Sequence, residues 1–102
     1  MSHPHNALAK ALISKLGAGP VTISNAGCSP WASVTFSGAR HHFSLEVADP
    51  DAVPHIQKFV AGIAAENFEL VGHLVADIIV TGSDYTAARA RVDIEALTVE
   101  TG

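Results

Sequence analysis

From Phe68 to Val99 apolar and polar side chains alternate at a period of two, the spacing of a pleated strand. Over the first half, the even positions Phe68, Leu70, Gly72, Leu74, Ala76, Ile78 and Val80 carry no polar side chain, which marks a core face. The odd positions Glu69, Val71, His73, Val75, Asp77, Ile79 and Thr81 mix charge with aliphatic bulk, as do Arg89, Arg91, Asp93, Glu95, Leu97 and Val99 in the second half. Gly82, Ser83 and Asp84 supply a turn between the two strands. A loop over Gly82 to Thr86 sets Asp77 against Arg91 and His73 against Glu95, both favourable cross-strand pairs. A slip of one residue would throw the apolar set onto the wrong face.

Upstream, Leu8, Leu12, Ile13 and Leu16 recur at helical spacing and predict a helix over about Pro4 to Leu16. Ser2 is its expected N-cap and Pro4 is tolerated in its first turn. Gly17 suits the left-handed position after the last turn, and Gly19 with Pro20 prevents continuation. Val21 to Ser24 then reads as a short strand, and Asn25 to Pro30, dense in turn formers, as a loop. Two further strands, Trp31 to Ser37 and Arg40 to Val47, meet at a Gly38–Ala39 turn that places Ala32, Val34, Phe36, His41, Phe43 and Leu45 on the inner side. A second helix is expected over about Ala52 to Glu66, with Val53, Ile56, Val60 and Ile63 buried and Phe59 at the margin. Asp51 is favoured as its cap over Asp49, because Pro54 then falls where a missing N–H costs nothing.

The expected fold is therefore α+β: a two-layer sandwich in which two helices cover one face of a five-stranded antiparallel sheet, in the order α-β-β-β-α-β-β. At 102 residues the chain makes one domain, 1–102. That element order resembles the fold of the type III secretion chaperones, small acidic dimeric proteins, whose final helix has no counterpart here.

Composition narrows the partners. Ten acidic against six basic residues give a net charge of −4, and Lys and Arg are scattered, which argues against nucleic acid. A charged fraction of 16% with a mean hydropathy of +0.28 leaves little polar surface, so part of the apolar surface is expected to be covered by another subunit. No stretch has the roughly 18 apolar residues of a membrane span. A single cysteine asks for no oxidising compartment, and a cytoplasmic protein is expected.

Candidate chemistry is sparse. His41 and His42 point to opposite faces of a strand and cannot share an ion, while His3 and His5 have no Cys or acidic ligand near them in sequence; no metal and no cofactor are expected. Cys28 lacks a positive neighbour in sequence that would hold it as thiolate, and reads as a buried small hydrophobe. The candidate functional face is His73, Asp77, Arg91, Asp93 and Glu95, and the candidate interface is Val71, Val75, Ile79, Leu97 and Val99. Apolar and charged side chains interleaved in this way suit an interface with polar registration. The expected function is a non-enzymatic binding or interaction module that forms a homodimer through this face. The competing class is an enzyme or metal-dependent binder using His73 with its acidic neighbours.

Overall fold

The computed structural model describes residues 4–17, 21–49, 51, 53–86 and 89–101. Helix α1 spans Pro4–Leu16, as its periodicity predicts, and buries Leu8, Leu12 and Leu16, while Ile13, expected on the same stripe, is only half-buried. It stops at Gly17, whose φ of 65° is the left-handed conformation in which a Cβ would be strained. The expected roles of Ser2, Gly19 and Pro20 lie outside the described residues.

The sheet differs from expectation. It has four long strands, β1 (Val21–Ala32), β2 (Ser37–Val47), β3 (His73–Tyr85) and β4 (Ala90–Glu100). All pairs are antiparallel and the spatial order is β1-β2-β4-β3, with the two-residue segment Glu69–Leu70 bridged to the outer edge of β3. The α+β class stands, but the five-stranded sheet with three strands before α2 does not, and the likeness in element order to the secretion chaperones goes with it.

The cause is local. The stretch from Asn25 to Pro30 continues β1 instead of looping, and the reversal falls at Ser33–Phe36, where the Ser33 N–H donates to the Phe36 carbonyl (2.7 Å). Turn formers are tolerated in β1 because it is an edge strand, exposed on both faces along nearly its whole length. Pro30 there forfeits no interior ladder bond. Gly38 serves close approach instead of a turn: a Cβ on it would overlap the Thr98 carbonyl. Trp31, its partner in β1, donates its indole N–H to that same carbonyl (3.2 Å). Ala32, Val34 and Phe36, expected inside, are exposed, whereas His41, Phe43 and Leu45 do face the core.

The β3–β4 hairpin is longer than expected and its turn lies after Tyr85, closed by Thr86 and Arg89. Its register breaks twice, between Val75 and Asp77 and between Val80 and Gly82. Each bulge adds one residue and so reverses which parity faces the core. Ile78 and Val80 therefore point inward, but Leu74 points outward and Val75 packs against the core. Asp77 lies opposite Leu97 instead of Arg91, and His73 opposite Glu100 instead of Glu95.

Helix α2 runs from Val53–Gly62 and tightens into a 3₁₀ turn over Ile63–Ala65, shorter than the expected helix to Glu66. Ile56, Phe59 and Ile63 are its buried residues, so Phe59 belongs to the core and Val60 to its margin. The ends of the two helical segments are tied by Lys15 and Glu66, 3.0 Å apart on the surface, a pair worth under about 1 kcal/mol. Ahead of α2 the Asp49 carboxylate accepts the Asp51 N–H at 2.9 Å. Both helices bury their apolar stripes in one cluster with Phe43, Leu45 and Val47 of β2, Ile78 of β3 and Val92 and Ile94 of β4.

Candidate functional site

The helices cover only part of the sheet. A helix of 13 residues spans about 20 Å, whereas strands of 11 to 13 residues run to about 36 to 43 Å. The sheet end formed by the Ser33–Phe36 turn and the Val71–Gly72 turn extends past them, which accounts for the exposure of Val34, Phe36 and Val71.

The face opposite the helices has its own pattern. Register assigns to it Arg40 and His42 of β2, Leu74, Asp77 and Ile79 of β3, and Arg91, Asp93, Glu95, Leu97 and Val99 of β4. At its centre Arg40, Asp77, Ile79, Glu95 and Leu97 line a shallow open depression. Ile79 and Leu97 give it aliphatic lining, and Arg40, Asp77 and Glu95 add one cation and two carboxylates. Ile79 is 47% exposed and Leu74, toward the uncovered end of the sheet, 55%.

Of the expected functional face, Asp77 and Glu95 belong to this depression. Arg91 and Asp93 lie further along the strand, where Asp93 accepts a 2.6 Å hydrogen bond from the Ser44 hydroxyl and stands 3.7 Å from the Arg91 guanidinium. His73 is separated from all four: it shares a face with Val75, and its Nδ1 lies 3.2 Å from the Val71 carbonyl. Of the expected interface, Ile79, Leu97 and Val99 share the open face, Val71 occupies the turn ahead of β3, and Val75 is turned toward the helices. The place of Arg40 beside Asp77 depends on β2 lying next to β4, which no local spacing encodes.

On the helix side, sequence reasoning missed a second group. Cys28, expected to be buried, is exposed because it lies on the edge strand β1; it is the direct partner of His41 in β2, and the first turn of α1 lays His5 against the pair. The His5 ring stacks on Phe43 with centroids 4.6 Å apart, and its Nδ1 is 3.0 Å from Nδ1 of His41. His41 is fully buried, and its Nε2 lies 2.9 Å from the Thr98 hydroxyl, which itself donates to the Ala39 carbonyl (3.3 Å). Thr98 thus accepts the Nε2 proton of His41 and leaves the Nδ1 lone pair directed at His5. The only signal in the sequence was the richness in His, six residues in 102; their separation along the chain hid the grouping.

Among the described residues no helix is long and apolar enough to cross a membrane. Compared with known proteins, the chain matches no family model, no curated protein and no solved structure.

Proposed function

We propose that the protein is a non-enzymatic interaction module that pairs with a second copy of itself through the open sheet face. The observation that carries this reading is the depression in which Ile79 and Leu97 are flanked by Arg40, Asp77 and Glu95. Aliphatic area of this kind favours burial at about 25 cal/mol per Å². Charges of both signs on one patch let a two-fold contact set Arg40 of one copy against a carboxylate of the other. Two exposed aliphatic residues on β3, Leu74 and Ile79, extend the patch along the strand. The competing reading, an enzyme or metal-dependent binder built on His73, loses its support because His73 lies across the sheet from Asp77, Arg91, Asp93 and Glu95. The chain's single thiol suits a reducing compartment, so a cytoplasmic setting belongs to the same proposal.

Sedimentation velocity decides it. The parent is expected to sediment as a dimer at tens of micromolar, and Ile79→Lys as a folded monomer with an unchanged circular dichroism spectrum. A monomeric parent would overturn the proposal, and so would a dimer that Ile79→Lys leaves intact.

A further inference from the structure

The ligand atoms of His5, Cys28 and His41 all lie within 4.8 Å of one another, from three elements that meet only in the folded chain. We propose that these three side chains form a transition-metal site for a zinc-class divalent ion, bound by Cys28 Sγ and by Nδ1 of His5 and of His41. This site shares no residue with the self-association face and stands independently of it.

The donor set is the first argument. One thiolate and two imidazoles suit a borderline-soft ion, and three protein ligands leave a fourth tetrahedral position for water or an added ligand. The spacing is the second. Bonds of about 2.0–2.1 Å to nitrogen and about 2.3 Å to sulfur require donors about 3.3 to 3.6 Å apart. The two Nδ1 atoms, at 3.0 Å, need to part by only a few tenths of an ångström. The ligands are also supported from behind. A metal-bound imidazole is held by a hydrogen bond from its other nitrogen, and His41 has one ready in Thr98 Oγ1, anchored in turn on the Ala39 carbonyl. His5 is held by its stack on Phe43, ring planes 16° apart. Without metal, the His5 Nδ1–H donates to His41 Nδ1. With metal, the ion takes both lone pairs, the His5 proton moves to Nε2, and the exposed Cys28 thiol gives its proton to solvent.

The test uses the full chain with Zn(II) and, as a spectroscopic probe, Co(II). Calorimetry is expected to give one Zn(II) per chain, and Co(II) to give the intense visible bands of a tetrahedral site with a thiolate charge-transfer band in the near ultraviolet. Cys28→Ser should abolish that band, and His5→Ala should weaken Zn(II) binding. Thr98→Val, which keeps the side-chain shape and removes the support to His41, should weaken it about tenfold. Because His41 is buried, its own substitution risks the fold and is not used. His3→Ala should leave every reading unchanged, which separates the site from adventitious binding at the histidine near the chain start. The proposal is overturned by absence of stoichiometric Zn(II) binding, by a pale octahedral Co(II) spectrum, or by binding that survives Cys28→Ser and fails in His3→Ala.

Discussion

Gly38 shows how one residue type serves two needs that look alike in sequence. A glycine between two strands reads as a hairpin turn, but here it lies inside β2, where the Thr98 carbonyl leaves no room for a Cβ and Trp31 covers the gap. Gly38→Ala is therefore expected to cost about 3 kcal/mol, because the alanine methyl meets backbone that cannot yield without parting β2 from β4. If Gly38 served only as a flexible turn, urea denaturation would report a change of less than about 1 kcal/mol. His41 teaches the converse. Its inward direction was legible from alternation, but its partners, His5 in α1 and Thr98 in β4, are distant in sequence and belong to tertiary structure.

At the scale of elements, α1 was readable to the residue because its apolar stripe and its terminal glycine agree. For α2 the cap assignment is the testable point. The hydrogen bond ahead of the helix runs from the Asp51 N–H to the Asp49 carboxylate, so Asp49 organises the entry. Asp49→Ala is expected to lower stability by about 1 kcal/mol and Asp51→Ala by clearly less, as thermal melts of the two variants would show. The reverse ranking would return the cap to Asp51. In the β3–β4 hairpin the alternation was real, but it holds only between the two bulges. Neither Ala76 nor Thr81, the extra residues, announces itself in sequence.

For the whole molecule, the bulges decide which side chains lie on the open sheet face. Val75→Lys, which a regular strand would place on the open face, puts a charge against the core and is expected to lower the melting temperature markedly. Ile79→Lys, four residues on, should leave that temperature within a few degrees while it dissociates the proposed dimer. Equal melting temperatures in the two variants would contradict the register. The molecule is long and narrow, 47 × 23 × 20 Å, because hairpins of 11 to 13 residues per strand outrun the helices laid on them. The uncovered length is where Val34, Phe36 and Val71 meet water.

Local periodicity was enough to determine the α+β class, both helices, the antiparallel pairing of the final hairpin and the inward faces of β2 and β4. These depend on neighbours a few residues apart, whose burial pattern is written directly in the chain. Strand number, register and the makeup of both candidate sites were decided by tertiary structure. Whether the stretch from Asn25 to Pro30 is loop or strand depends on its lying at an exposed edge beside β2, and whether Val75 faces in or out depends on an extra residue absorbed against β4. The juxtapositions of Arg40 with Asp77 and of Cys28 with His5 arise only once strands and helix distant in sequence are packed together, and no spacing within a single segment encodes them.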